Sequence, residues 1–399
     1  ATNAGTAPVT ATITVTPTFT NGGTSCSGTA QTFTITVNPA GQVSQPASQV
    51  LCNNSSVSVN FATTNTGGTT TYTWTNNATS IGLAASGSGN IASFTAVNSG
   101  TAPVVATIVV TPTYTNAGVS CSGATKTFTI TVNPTGQVND PADQVICNNA
   151  NTTAVNFAST NTGGTTLYSW SNDNTSVGLA ANGTGNISAF TATNAGTAPV
   201  TATITVVPTF NNASVGCGGS IQTFTIIVNP KGQVNNVIDA VLCAGSSSPA
   251  INFSSNNTGG TTTYTWTNNN TSIGLSASGT GDIASFTATN STASPVVATI
   301  TVTPSFTNGG TGCAGTSTSF TITVNPTPSV NQPSAQVICN NASSAPVSFG
   351  NKVLILAADA FSWVNEVKAK IMATGAFSTI DVINAANVTP TLPQLQEYQ

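Results

Sequence analysis

Hydrophobic and polar residues alternate with a period of two along many short stretches of the chain. Residues 127–132 (TFTITV) alternate threonine with Phe, Ile or Val, and residues 71–75 (TYTWT) alternate threonine with aromatic residues. A period of two places successive side chains on opposite faces of a β-strand. Threonine suits the wet face, because its branched Cβ favours strands and its hydroxyl meets water. Gly, Asn and Ser turns separate these runs. The pattern predicts seven strands in each repeating unit, at residues 50–52, 57–61, 71–75, 81–83, 91–95, 104–111 and 127–132 of one unit.

The pattern recurs along the chain at a fixed spacing. Trp74, Trp170 and Trp266 are each 96 residues apart, and the phrase FTITVNP or a close variant recurs in step with them. The cysteines form two series with steps of 95, 96 and 96: Cys26, Cys121, Cys217 and Cys313, then Cys52, Cys147, Cys243 and Cys339. A period of this length is too long for a solenoid unit and matches one all-β domain of about 100 residues. The predicted fold is therefore all-β, with tandem seven-stranded immunoglobulin-like (PKD-like) β-sandwiches.

Each unit closes on an Asn-Pro dipeptide, which marks the domain boundaries. Proline cannot donate to a strand ladder and restricts the residue before it, so it ends the last strand and stiffens a short link. The boundaries predict complete repeats at 42–136, 137–232 and 233–328. Residues 1–41 supply the last two strands of a further repeat, and residues 329–349 supply the first strands of another. Either the chain is a window on a longer polypeptide, or neighbouring subunits complete each other by strand exchange.

The last fifty residues have a different pattern. Residues 353–356 (VLIL) and 380–383 (IDVI) are typical of buried strands, and apolar residues at helical spacing lie between them. Residues 350–399 therefore predict a short, truncated βαβ segment of an α/β fold.

Composition excludes several classes of function. Only 4% of residues are charged, and the chain has no histidine and no arginine. Nucleic-acid binding depends on Lys and Arg contacts with phosphates, so it is not expected. A hydrolase lacks a histidine base, and a calcium-stiffened adhesin needs clustered carboxylates, of which residues 1–349 hold only five. No apolar run is long enough to span a membrane. We predict no catalytic residue, no metal site and no cofactor.

The eight cysteines in register predict disulfides and hence an oxidising compartment outside the cytoplasm. Pairing within a repeat is favoured over pairing across a boundary, because the hairpin before the last strand is expected at the same pole as the start of the first strand. Buried free thiols are the other alternative, and metal binding is disfavoured without His or CxxC spacing. The favoured scheme pairs Cys52 with Cys121, Cys147 with Cys217 and Cys243 with Cys313, leaving Cys26 and Cys339 unpaired.

The three repeated tryptophans have two interpretations. A Trp on the central strand of a sandwich, about 22 residues after a cysteine, is typical of the core. A carbohydrate-binding array would instead expose Trp74 and Tyr72 for stacking on sugar rings. We predict core aromatic roles for Trp74, Trp170 and Trp266.

The repeat, of which VLCNNSSVSVNF, TYTWTNNATSIGLAASGSGNIASFTAVNSG and KTFTITVNP are parts, resembles PKD-like, immunoglobulin-like repeats of Bacteroidota surface proteins. The resemblance covers residues 1–349 and implies a large cell-surface adhesin, of the type linked to gliding motility and exported by type IX secretion. Residues 351–399 look like the start of a glutamine-amidotransferase-like domain, and no catalytic position of that family falls among them.

The leading hypothesis is a structural repeat region of an extracellular stalk, adhesin or filament. One alternative is a self-assembling filament subunit joined by strand exchange. Another is a carbohydrate-binding repeat array, or a stalk that carries a secreted enzyme. The expected partners are neighbouring copies or repeats of the same protein, and surface glycans or other cells.

Overall fold

The computed structural model describes residues 1–329, 334–337 and 339. The α/β segment predicted for residues 350–399 lies outside the described residues, as does most of the partial repeat predicted at 329–349. Within the described part the fold is all-β, with immunoglobulin-like sandwiches in tandem. We call residues 1–41 the partial module and residues 42–136, 137–232 and 233–328 modules 1, 2 and 3, although these exact boundaries remain a prediction.

The described residues form twenty-four strands, numbered β1 to β24 along the chain. The partial module contains β1 (Val9–Val15), β2 (Thr18–Asn21), β3 (Thr24–Ser27) and β4 (Gln31–Val37). Module 1 contains β5 (Gln49–Cys52), β6 (Ser56–Val59), β7 (Thr69–Asn76), β8 (Ser86–Ser88), β9 (Ile91–Thr95), β10 (Val104–Asn116), β11 (Val119–Ser122) and β12 (Lys126–Asn133). Module 2 contains β13 (Gln144–Cys147), β14 (Thr165–Asn172), β15 (Asn182–Thr184), β16 (Val200–Asn212), β17 (Val215–Gly218) and β18 (Gln222–Asn229). Module 3 contains β19 (Ala240–Cys243), β20 (Thr261–Asn268), β21 (Ser278–Thr280), β22 (Val296–Asn308), β23 (Thr311–Ala314) and β24 (Thr318–Asn325).

Each module has one large sheet and one small one. In module 1 the large sheet has the order β5-β12-β10-β7-β8, with β11 paired to β10, and the small sheet pairs β6 with β9. Modules 2 and 3 repeat the large sheet in the same order. Their small sheet is reduced to isolated bridges, such as Val155 with Ile187 and Ile251 with Ile283.

The first strand of each module runs parallel to the last strand of the same module. In module 1, β5 pairs with β12 so that Cys52 lies beside Asn133. Modules 2 and 3 repeat this register, with Cys147 beside Asn229 and Cys243 beside Asn325. The first-strand cysteine therefore lies at the pole where the chain leaves the module.

The core lies between the two sheets and follows the alternation seen in the sequence. In β12, Phe128 is 2% exposed and Ile130 is fully buried, whereas the intervening threonines are not buried. Trp74 is 7% exposed and lies against the backbone of Gly87, where an added Cβ would come within 2.2 Å of the indole Cζ2. The apolar faces of both sheets thus pack around one tryptophan per module.

Two local features differ from the strand pattern predicted for the unit. Residues 81–83 were expected to form a strand, but Thr79–Ile81 form a 3-10 turn that ends at Gly82 with a φ of 87°. A left-handed residue at that position is incompatible with a continuing strand. Strand β10 is thirteen residues long and continues to Asn116, five residues beyond its predicted end, where it pairs with β11, a strand that was not predicted.

Candidate functional site: the junctions between modules

Both disulfides of the described residues connect consecutive modules. Cys52 of module 1 bonds to Cys217 of module 2, with their Cα atoms 5.4 Å apart. Cys147 of module 2 bonds to Cys313 of module 3, with a Cα separation of 5.5 Å. In each case the first-strand cysteine of one module bonds to the hairpin cysteine of the next, so every bond crosses a junction.

The disulfide pairing predicted from the sequence is wrong. The structure excludes the predicted pairs Cys52–Cys121 and Cys147–Cys217, and Cys243 has no disulfide to Cys313. The prediction placed both cysteines of a repeat at one pole. In the structure the first-strand cysteine lies beside the end of the last strand, while the hairpin cysteine lies before that strand begins. The eight residues of β12 separate the two poles by about 26 Å at strand rise, beyond the reach of a disulfide.

The four remaining cysteines have no disulfide. Cys26 and Cys339 are free and exposed, while Cys121 is half-buried and Cys243 is exposed. The sequence predicted that Cys26 and Cys339 would lack a partner, but it paired Cys121 and Cys243.

The long hairpin of each module brings its cysteine to the preceding module. In module 2, β16 runs for thirteen residues and β17 folds back on it, with Ala213 and Ser214 in the left-handed region at the turn. Strand β17 contacts β5 of module 1, and Cys217 is only 1% exposed there. The hairpin is therefore the element that reaches across the junction.

A reciprocal pair of asparagines lies beside each disulfide. The Asn212 side-chain amide donates to Asn133 Oδ1 at 2.8 Å, and the Asn133 amide donates to the Asn212 carbonyl at 3.4 Å. The next junction repeats this pair with Asn308 and Asn229, at 3.0 and 2.9 Å. Asn133 is fully buried, and the hydrogen bonds to Asn212 satisfy its side-chain amide across the junction.

The same pair joins the partial module to module 1. Asn116 donates to Asn38 Oδ1 at 2.9 Å, and Asn38 donates to the Asn116 carbonyl at 3.1 Å. Sequence reasoning took the asparagine before each proline as part of a strand-ending signal and missed this contact. The signal was available, since one asparagine recurs before the proline and another recurs at the end of the long strand with the period of the repeat.

A second set of contacts ties the turn before β14 to the preceding module. The Thr162 backbone N–H donates to the Thr101 carbonyl at 2.9 Å, and the Asn161 side chain donates to the same carbonyl at 3.3 Å. Asn161 also donates to the linker carbonyl of Thr135 at 3.2 Å. Gly163 has a φ of 74° and approaches Pro103 so closely that a Cβ would lie 2.9 Å from the proline Cδ. The turn thus holds both the linker and the neighbouring module.

The side-chain hydrogen bonds described above at the junctions are uncharged. The aspartates of the modules act elsewhere, as acceptors for backbone N–H groups: Asp143 accepts from Thr225 at 2.6 Å and Asp173 accepts from Thr203 at 2.7 Å. Salt screens charge pairs and acts little on neutral hydrogen bonds. The junction contacts should therefore hold over a wide range of ionic strength.

The aromatic residues of the modules lie in or against the cores. Trp74, Trp170 and Trp266 are 7%, 9% and 7% exposed, which leaves no open indole face for a sugar. Tyr72 is buried against Phe61, with ring centroids 5.3 Å apart. Burial raises the pKa of Tyr72, partly offset by a hydrogen bond from the Thr63 side chain.

Metal-binding and membrane-spanning features are lacking in the part of the chain that the structure describes. Residues 1–329, 334–337 and 339 hold no group of three His, Cys, Asp or Glu side chains placed to bind a metal ion. Over the same residues, no helix has the length and apolar character needed to cross a bilayer.

Comparisons with known proteins find similarity in structure but not in sequence. No protein-family model and no curated protein matches the chain. Mouse cadherin-23 EC22-24 has a TM-score of 0.34 and 13% identity, covering 71% of this chain and 96% of its own. Three N-terminal domains of the bacteriophage RB49 outer capsid protein Hoc have a TM-score of 0.33 and 13% identity, and the match covers 72% of this chain and 100% of theirs. Drosophila N-cadherin EC1-4 has a TM-score of 0.29 and 12% identity, and the match covers 80% of this chain and 84% of its own. At these identities and TM-scores the similarity says nothing about ligands or partners.

Proposed function

We propose that this chain is the structural repeat region of an extracellular stalk, adhesin shaft or filament, and that its role is mechanical rather than catalytic. The observation that supports the proposal is the placement of both disulfides across junctions, each beside an asparagine pair with one fully buried member. A chain that needed stable modules alone would gain as much from bonds inside each module. Bonds between modules instead restrict the angle between neighbours, which is the property that a stalk requires.

The proposed location is outside the cytoplasm, at the cell surface or in a secreted assembly. Disulfides persist in oxidising compartments and are rare in the cytosol. The likeness of the repeat to Bacteroidota surface proteins supports a bacterial cell surface and type IX secretion as the proposed route. The proposed partners are neighbouring copies or repeats of the same protein, with surface glycans or other cells as targets of an attached adhesin.

Small-angle X-ray scattering of the full chain tests the stalk. The four free cysteines are first changed to serine, so that no bond between chains contributes: Cys26, Cys121, Cys243 and Cys339. We expect the scattering of a stiff rod from the oxidised protein. The matched sample is the same variant with Cys52, Cys147, Cys217 and Cys313 also changed to serine, which removes both junction bonds and leaves no thiol. Its scattering should show greater flexibility while the circular dichroism of the strands is retained. A compact globule in the oxidised state would contradict the proposal.

A further inference from the structure

The hairpin that crosses the junction between modules 2 and 3 carries an Asn-Gly dipeptide at its tip. Asn308 is the last residue of β22 and pairs with Thr311, so Gly309 opens the two-residue turn, with a φ of 56°. The hairpins of modules 1 and 2 have alanine in the place of Gly309, at Ala117 and Ala213. The hairpin of module 3 therefore differs from them at the residue that follows the junction asparagine.

An asparagine followed by glycine is prone to lose its side-chain amide. Asparagine is a thermally labile residue, and glycine has no Cβ to obstruct its backbone nitrogen. That nitrogen bonds to the asparagine Cγ and loses its proton, while the Cγ–Nδ2 bond breaks and the side-chain nitrogen leaves as ammonia. Water then opens the resulting succinimide ring at either carbonyl, which yields aspartate or isoaspartate. Gly309 is exposed, so water reaches the bond at which this reaction takes place.

In the closed junction, Asn229 of module 2 holds the two groups of Asn308 that this reaction must move. The Asn308 side-chain amide donates to Asn229 Oδ1 at 3.0 Å, and the Asn229 amide donates to the Asn308 carbonyl at 2.9 Å. The first group contains the nitrogen that leaves, and the second supplies a carbon of the succinimide ring. Ring closure turns the side chain towards the Gly309 nitrogen and rotates the backbone at the carbonyl, so both hydrogen bonds must break. The closed junction therefore protects Asn308.

Further contacts hold the tip of the hairpin on module 2. The Thr311 hydroxyl donates to the Val145 carbonyl at 3.3 Å, and a Cβ added to Gly309 would lie 3.1 Å from Val145 Cγ2. The disulfide between Cys147 and Cys313 closes the same contact. Asn308 is therefore released for the reaction when the whole junction loosens, rather than by motion of one side chain.

The product of the reaction does not fit the closed junction. A carboxylate is ionised at neutral pH and only accepts hydrogen bonds. At this position it would face Asn229 Oδ1, itself an acceptor, in place of the 3.0 Å hydrogen bond. Turning the Asn229 amide over would bring a donor to the carboxylate only by withdrawing the donor from the Asn308 carbonyl. Isoaspartate also adds a methylene to the main chain at the turn, so either product weakens the closed state.

We propose that Asn308 is a site of spontaneous deamidation that records the opening of the junction between modules 2 and 3. The closed junction protects the side-chain amide, the open junction allows the succinimide to form, and the resulting carboxylate hinders closure. The change is irreversible, and alanine slows it at the other two junctions. The proposal rests on the geometry of the junction and not on the proposed stalk.

The rate of amide loss tests the protection. The full chain, with its four free thiols alkylated, is incubated in mildly alkaline buffer, and the peptide containing Asn308 is followed by proteolysis and mass spectrometry. Asn229→Ala should accelerate the loss roughly tenfold, the factor that corresponds to the net contribution of one or two hydrogen bonds. The double variant Cys147→Ser/Cys313→Ser loosens the junction by another route and should act in the same direction. Asn212, which is followed by alanine, should lose its amide far more slowly in every sample.

Gly309→Ala is the matched control. It gives the hairpin the residue that modules 1 and 2 have at this place, so it should slow the loss at Asn308 even in combination with Asn229→Ala. Circular dichroism checks that each variant keeps its strands. Equal rates in the unsubstituted protein and in both loosened variants would overturn the proposal, as would an unchanged rate after Gly309→Ala.

A second experiment tests the consequence for the junction. Asn308→Asp reproduces the deamidated side chain, and the rate at which a thiol reductant opens each disulfide reports how firmly each junction is closed. Cys313 is only 1% exposed, so its reduction requires the junction to loosen. We expect the bond between Cys147 and Cys313 to be reduced several-fold faster in the variant, with no change at Cys52–Cys217. An unchanged rate at the first bond would contradict the proposal, whatever shape scattering gives for the chain.

Discussion

Asn133 and Asn212 are 79 residues apart in sequence, yet each donates its side-chain amide to the other across the boundary between two modules. Neither hydrogen bond can form inside a single module. Because Asn133 is fully buried, a module that lost its neighbour would expose an asparagine adapted to a partner. The pair therefore couples the stability of each module to the presence of the next.

The first prediction concerns this pair at the following junction. Asn229→Ala removes the fully buried donor to the Asn308 carbonyl and leaves the Asn308 amide without its acceptor at a partly buried site. We expect a loss of about 1–3 kcal/mol in unfolding free energy, measured by denaturant unfolding of the full chain. Asn252→Ala, at an exposed position in module 3, is the matched control and should change little. Equal effects from both substitutions would contradict the role given to the junction.

The second prediction concerns the disulfides. The double variant Cys52→Ser/Cys217→Ser opens a loop with a sequence separation of 165 residues. In the chain-entropy model such a loop contributes about 5 kcal/mol, so the thermal unfolding midpoint of modules 1 and 2 should fall clearly. Calorimetry of the oxidised protein measures the shift. Cys26→Ser, which removes a free exposed thiol, is the control and should leave the midpoint of the monomeric protein unchanged.

The third prediction concerns the approach of a strand to the core tryptophan. A Cβ at Gly183 would lie 2.2 Å from Trp170 Cζ2, so Gly183→Ala forces the indole or β15 to move. We expect destabilisation of about 1–3 kcal/mol together with a change in tryptophan fluorescence. Gly218→Ala in the same module has no atom within 4 Å of the new carbon. Denaturant unfolding that shows the same loss for both substitutions would refute the packing argument.

The fourth prediction concerns alkaline pH. Burial raises the pKa of Tyr72, Tyr168 and Tyr264 above the ordinary value. A raised pKa in the folded state means that the folded protein holds these protons more tightly than the unfolded chain. The stabilisation is complete below pH 10, the ordinary tyrosine value, and is lost as the pH rises through the folded value.

Thermal unfolding of the thiol-alkylated protein across this range measures the effect. The midpoint should fall as the pH is raised above about 10. The variant with all three tyrosines changed to phenylalanine keeps the rings and removes the hydroxyls, so its midpoint should fall less steeply. An unchanged slope in that variant would exclude the tyrosines as the cause.

The sequence was sufficient for the strands but not for the contacts between modules. Alternation in residues 127–132 predicts strands, because successive side chains of a strand point to opposite faces. The 96-residue spacing of the tryptophans predicts the repeat, because it matches the size of one all-β domain. The pairing of Cys52 could not be read in the same way. It depends on β5 running parallel to β12, which places the cysteine at the exit pole, and on a hairpin of the next module that folds back to meet it. Local pattern does not contain that information.

The two covalent loops of the chain overlap, since Cys147 lies inside the loop closed by Cys52 and Cys217. If a pulling force unfolded every module, the shortest covalent path from Cys52 to Cys313 would run through both disulfides and the 70 residues from Cys147 to Cys217. Without the disulfides, the path would be the 261 residues from Cys52 to Cys313. At about 3.4 Å per extended residue, Cys52 and Cys313 can then separate by roughly 240 Å with the disulfides, and by roughly 900 Å without them. The overlapping disulfides therefore limit how far Cys52 and Cys313 can be drawn apart, even after every module between them has unfolded.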